Sequence, residues 1–133
     1  MTDRDRLYDP LRRKWVARTP EEEVRQAVIA WLRDERHIPF VRMASEYGFM
    51  YNRRHFRADV VVFDRQLRPF LLAECKAPGV RLDAAVVEQV LRYTRVLTVT
   101  FILITDGTVS RLLRRRADGS GYDDLETVPE DLC

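Results

Sequence analysis

Two short apolar runs, residues 60–63 and 70–73, enclose a polar stretch at 64–69. β-Branched and aromatic runs of this length, parted by turn-like residues, are the pattern of a β-hairpin. If Arg65 to Arg68 form the loop, Asp64 faces Pro69, Phe63 faces Phe70 and Asp59 faces Glu74. Directly opposed residues project from one side of a sheet with Cβ atoms about 5 Å apart. Lys76 lies two residues beyond Glu74 and projects from the same face. Two carboxylates and an ammonium thus converge at one end of an oily hairpin. Facing carboxylates repel each other, and a divalent cation held by oxygen ligands is the usual remedy. A slip of one residue in register would move Asp59 to the other face.

The rest of the chain supplies a frame for this hairpin. Thr19 is suited to cap a helix, Pro20 to open it and Glu22 to close a capping box with Thr19. The helix is expected to reach about Arg36, with Val24, Ala27, Val28, Trp31 and Leu32 as its apolar stripe. Residues 40–47 read as a strand and 48–55 as a loop, followed by the hairpin and a sharp turn at Ala77-Pro78-Gly79. Asp83 should cap a second helix running to about Leu97, with Val86, Val90, Tyr93 and Leu97 on one side. Residues 99–105 form a continuous apolar run of the kind buried on both faces of a sheet. A helix between that run and the third strand implies a crossover and a parallel pair. A last hairpin is expected from 109–116 and 121–128. The expected fold is therefore α/β: an αβββαβ core, a mixed sheet flanked by helices, and an extra C-terminal β-hairpin. Residues 1–18 read as a basic arm lying over the domain, disordered at its first few positions. Residues 19–133 read as one domain.

Composition narrows the function. The chain has 133 residues, 46% of them apolar, which is enough for one core. No apolar stretch approaches the ~20 residues of a membrane span, and the polar N-terminus has no secretory pattern. Two cysteines do not make a disulfide framework, so a cytoplasmic location is expected. Cys75 should be a buried apolar thiol, since it alternates with Glu74. The formal net charge is only +2, but all but two of the 23 basic side chains are arginine. One of the two lysines, Lys76, stands in the Glu-x-Lys position, where a compact ammonium or an adjustable proton differs chemically from a guanidinium. The clusters Arg12-Arg13-Lys14, Arg53-Arg54 and Arg114-Arg115-Arg116 could neutralise phosphates or simply be solvated.

The ordered set of a helix Glu, strand Asp59, strand Glu74-Cys75-Lys76 and helix Gln89 resembles the metal-binding signature of the PD-(D/E)xK nuclease superfamily. With Thr19-Pro20-Glu21-Glu22 and Val24-Arg25-Gln26 upstream, it more narrowly resembles the N-terminal nuclease-like domain of type I restriction enzyme motor (R) subunits, over about residues 9–129. Ala58 stands where the signature carries its proline. The resemblance implies a restriction-endonuclease-like fold and Mg²⁺- or Mn²⁺-dependent cleavage of DNA by a domain standing apart from its motor. It implies a metal held by Asp59, Glu74 and the backbone carbonyl of Cys75, with Lys76 at the attacking water. It also implies a helix glutamate. Glu22 is occupied in the capping box, and Glu21, three and seven residues before Val24 and Val28, borders the stripe, so Glu21 is the choice. Gln89, beside Val86 and Val90, is expected to reach the site or DNA. Arg25 and Arg57 are candidates for contact with phosphate or with the acidic site, Arg53 and Arg54 for contact with phosphate, and Glu46 is an extra acidic candidate. DNA is the expected partner, with a homodimer or a separate protein to capture it, and neither a membrane nor a small-molecule cofactor. The alternative is a binding module that keeps the fold without catalysis.

Overall fold

The computed structural model describes residues 3–132. A first hairpin, β1 (Arg6–Asp9) and β2 (Lys14–Ala17), precedes α1 (Pro20–Asp34). Then come β3 (Met43–Tyr51), β4 (Arg54–Phe63), β5 (Pro69–Cys75), α2 (Ala84–Tyr93), β6 (Phe101–Thr105), β7 (Ser110–Arg115) and β8 (Tyr122–Leu125). Strands β3 to β8 form one six-stranded sheet in chain order, antiparallel throughout except for the parallel pair β5–β6. This is the expected mixed sheet, with its crossover helix and C-terminal hairpin, and it is consistent with a restriction-endonuclease-like fold.

Each helix covers one face. Val24, Val28, Ile29 and Leu32 of α1 pack with Val60, Val62, Leu71, Ala73 and Phe101, while Val87 and Val90 of α2 pack with Val61, Leu72, Ile102 and Ile104. The alternation along β4, β5 and β6 divides their side chains between two cores, so the central strands are buried on both sides. No helix among the described residues is long and apolar enough to cross a membrane.

Local chemistry sets the element ends. The Thr19 hydroxyl accepts from the Glu22 N–H at 3.1 Å, and the Asp83 carboxylate accepts from the Val86 N–H at 3.1 Å. Only half of the expected capping box forms: the Thr19 N–H donates to the Ala17 carbonyl, which leaves the Glu22 carboxylate for other partners. Helix α2 stops at Tyr93, short of Leu97. There the Thr94 hydroxyl donates to the Leu91 carbonyl at 2.6 Å, and the backbone leaves the helix in a series of turns. Residues 40–42 make a 3-10 turn, so β3 starts at Met43. The last three strands are also shorter than expected, β6 beginning at Phe101, β7 spanning Ser110–Arg115 and β8 ending at Leu125.

Two differences bear on function. Residues 48–55 are not a loop: β3 and β4 continue as a paired ribbon, closed by Asn52 and Arg53 with φ of 51° and 63°. Positive φ at both central residues is the type I′ geometry that suits the twist of a hairpin. The N-terminal arm is likewise a built element, with Asp9 wholly buried and its carboxylate accepting from the Leu11 N–H at 2.8 Å. Met1, Thr2 and Cys133 lie outside the described residues, and with them much of the expected disorder at the start.

Candidate active site

The hairpin β4–β5 pairs Val60 with Ala73, Val61 with Leu72 and Val62 with Leu71, as the sequence pattern requires. Both ends differ from the expected register: at the turn a bulge lets Phe63 pair with Pro69 instead of Phe70, and at the other end Asp59 and Glu74 lie just outside the ladder. Beyond Val60 and Ala73 the strands part, and two backbone N–H groups lose their ladder partners. The carboxylates take them: Asp59 Oδ2 accepts from the Cys75 N–H at 2.7 Å, and Glu74 Oε1 from the Asp59 N–H at 3.4 Å. Each acid therefore holds the opposite strand. Lys76 Nζ is 3.8 Å from Glu74 Oε2, and the Lys76 N–H donates to the Thr105 carbonyl at 2.8 Å, which ties the lysine to the end of β6.

This corner is short of positive charge. Glu74 is buried, and its pKa is pushed from 4.5 up to about 8, first by loss of water and then by the charge of Asp59. Lys76 and the Asp59 N–H act in the other direction without overcoming burial. The Tyr93 phenol is also raised, by burial and then by the charges of Glu74 and Asp59. The Cys75 thiol is raised strongly, chiefly by burial, and its side chain belongs to the core under α1. It is an apolar wall and not a nucleophile; what Cys75 can offer a cation is its backbone oxygen.

A second tier of charges backs the corner. Arg25 Nη2 lies 3.7 Å from Asp59 Oδ1, its Nε 3.4 Å from Glu22 Oε2 and its Nη1 3.6 Å from Glu46 Oε1. Arg25 also donates to the Ser45 hydroxyl at 3.1 Å. From the N-terminal hairpin, Arg12 Nη2 reaches Glu22 Oε1 at 2.6 Å and Nη1 reaches Glu46 Oε1 at 3.4 Å, while Nε pairs with buried Asp9. Gln26 donates to Glu22 Oε2 at 3.1 Å, and Arg57 Nη1 is 3.7 Å from Glu46 Oε2.

The structure thus brings Asp59, Glu74, Cys75, Lys76 and Arg25 together and separates others. Glu21 is exposed and stands outside the network; Glu22 is the helix acid that turns inward. Helical periodicity points at Glu21, but the tether for Glu22 is Arg12, from an element that periodicity within the helix cannot reveal. Gln89 is exposed and makes no hydrogen bond to the corner, because α2 is phased by Val87 and Val90, which turns position 89 away. Tyr93 of α2 packs instead on Phe49 and Phe56. Arg53 and Arg54 are exposed at the ribbon tip, away from the carboxylates. Arg12 is the member that sequence reasoning missed. Its signal was the basic cluster at 12–14, read as neutralising phosphate or simply solvated, whereas Asp9 and Glu22 draw Arg12 inward.

Among the described residues no three His, Cys, Asp or Glu side chains are grouped so as to hold a metal ion by themselves. The available donors at the corner are two carboxylates and a main-chain carbonyl, all oxygen, and suited to a hard cation that keeps part of its water. An open cleft of about 450 Å³ between α1 and β6–β8, lined by Val24, Trp31, Leu103 and Leu112, shares none of these residues.

No curated protein matches the chain. The family model described as "Type I restriction enzyme R protein N terminus (HSDR_N)" matches residues 20–129. That span runs from the first residue of α1 past the end of β8 and includes Glu22, Arg25, Asp59, Glu74 and Lys76. The chain belongs to the family of type I restriction enzyme R protein N-terminal domains.

Proposed function

We propose that this domain hydrolyses phosphodiester bonds in DNA, with Asp59, Glu74 and the Cys75 carbonyl holding a Mg²⁺ ion. The observation that carries the reading is the interlocked pair Asp59–Glu74 beside Lys76, two carboxylates brought together with Glu74 pushed up to about 8 by burial and by the charge of Asp59. Such an ion supplies Lewis acidity to a scissile phosphate and to a bound water. Lys76 orients the attacking water and offsets the negative charge that grows on the phosphate. Arg25 keeps Asp59 aimed at the corner, and Glu22, clamped between Arg12 and Arg25, orders water on the α1 side. The exposed Arg57 guanidinium, two residues from Asp59, is placed to receive a neighbouring phosphate.

A specific contact favours a second reading. Arg25 lies 3.7 Å from Asp59 and compensates part of the acidic charge without any metal, as a binding module that had given up catalysis would require. One experiment separates the two. Supercoiled plasmid, single strands and branched duplexes are incubated with Mg²⁺ or Mn²⁺ and the parent chain, Asp59→Ala or Lys76→Ala. Cleavage by the parent that disappears in both variants and in chelator is expected. DNA binding indifferent to Mg²⁺ and to Asp59→Ala, with no cleavage of any substrate, would replace the nuclease with the binding module.

A further inference from the structure

Strands β3 and β4 run well past the end of β5, which pairs with β4 only from Val60 to Phe63. Residues 47–58 are therefore a two-stranded ribbon projecting beyond the candidate site. Its two faces differ. Phe49 and Phe56 stack on each other and meet the Tyr93 ring at centroid distances of 5.3 and 5.5 Å, while Tyr47 packs on Phe63 at 5.6 Å. Arg95 donates to the Tyr51 hydroxyl at 3.1 Å. This face is fixed to α2. On the other face the cross-strand pairs are Gly48 with Arg57 and Met50 with His55, all four exposed.

The ribbon contains Arg53, Arg54 and Arg57 and no Asp or Glu. Among the described residues, Arg53 and Arg54 have no acidic partner, and Arg57 meets Glu46 only at 3.7 Å with most of its side chain in water. The other arginine-rich segment, 111–116, is largely paired: Arg111 with Asp124 and Arg116 with Asp123 at 2.8 and 2.9 Å, and Arg114 with Asp131, which leaves Arg115. Folding therefore leaves concentrated positive charge on the ribbon. Arg53 also holds a left-handed conformation where glycine is the favoured residue of such a turn.

We propose that this ribbon is the docking element that enters the major groove of duplex DNA and seats the duplex over the candidate site. The inference deepens the nuclease reading and rests on it for what the seated duplex undergoes. The major groove, about 12 Å wide, admits a two-stranded ribbon, whereas the major groove of duplex RNA is too deep and narrow. Single strands are held by exposed aromatic platforms, and the rings here are turned to α2. Arg57 stands two residues from Asp59, and the tip at Arg53 a further four, a span of roughly 20 Å at strand spacing. A tip seated in the groove brings the Asp59–Glu74 corner against the flanking phosphates.

The test is fluorescence anisotropy of the full chain in EDTA, from 50 to 200 mM salt. The probes are a 20-base-pair DNA duplex, one of its strands and the RNA duplex of the same sequence. The expected result is a preference for duplex DNA of about tenfold or more over both. The double variant Arg53→Gly, Arg54→Ala should bind duplex more weakly, with the slope of log K against log salt reduced by about 2. Methyl green, in the major groove, should compete, and netropsin, in the minor groove, should not. Arg53→Gly alone should melt no lower than the parent, which separates lost affinity from lost folding, and Arg116→Ala should bind as the parent does. A parent without the duplex preference, or a double variant with unchanged affinity and slope, overturns the proposal. Ribbon-dependent duplex binding without cleavage in Mg²⁺ would uphold it and sink the nuclease reading. Cleavage with binding indifferent to the ribbon would do the reverse.

Discussion

Glu74 couples the stability of the fold to pH and to metal in a way that one substitution isolates. Its folded pKa of about 8 stands above the 4.5 it has when free. Between those values the folded chain binds more protons than the unfolded chain, so stability falls as pH rises. The contribution is whole below pH 4.5 and is lost progressively through about pH 8, at up to about 1.4 kcal/mol per pH unit. From pH 4.5 to pH 7 the parent should lose roughly 3 kcal/mol through this group, on the order of 10 °C in melting temperature for a domain of this size. Glu74→Gln keeps an oxygen for the Asp59 N–H and cannot ionise, so that component should vanish. Urea unfolding of both proteins at pH 5, 6, 7 and 8, each in EDTA and in Mg²⁺, gives the comparison. The parent should fall relative to the variant as pH rises in EDTA, and Mg²⁺ should flatten the parent alone. Parallel pH profiles in EDTA would show that Glu74 is not held protonated. A parent profile indifferent to Mg²⁺ would remove the cation from this corner.

Two further perturbations follow from packing and charge. Arg12→Ala strips the partner from buried Asp9 and Glu22 and should cost about 3 kcal/mol in urea unfolding; a loss under 1 kcal/mol would mean that the brace is dispensable. Leu72→Ala opens a hole in the core under α2 and should cost 2–5 kcal/mol by the same assay; a neutral result would contradict the close packing of β5.

Much of this architecture is written in short-range chemistry. Thr19, Pro20 and Asp83 announce their helices because a cap needs only the next three residues. The apolar runs on either side of 64–69 fix the β4–β5 register because a slip would invert both faces of a doubly buried strand. The acids at 59 and 74 could therefore be placed opposite each other. What escaped was chemistry that crosses elements. Glu22 is drawn inward by Arg12 from another hairpin, and Arg12 reads locally as one more surface charge. Gln89 follows the phase set by Val87 and Val90, which a Val86–Val90–Tyr93 reading mistakes. The ribbon was hidden by its own turn, since Asn-Arg is a poor match to the Asn-Gly that signals a two-residue hairpin. Its residues look like a polar loop until the pairing of Phe49 with Phe56 is seen.

The hydrogen bond from the Lys76 N–H to the Thr105 carbonyl has a consequence for biosynthesis. Every side chain of the corner has been translated by residue 76, yet the lysine is anchored by a strand made 29 residues later. Strand β5 also gains its parallel neighbour only then, after the α2 crossover, and such distant pairings form late. A nascent chain arrested before β6 would carry the full set of acids and bases, and the contacts of Asp59 with Arg25 and the Cys75 N–H, but neither the anchor of Lys76 nor the parallel neighbour of β5. The corner is thus completed only when the second half of the chain has been made.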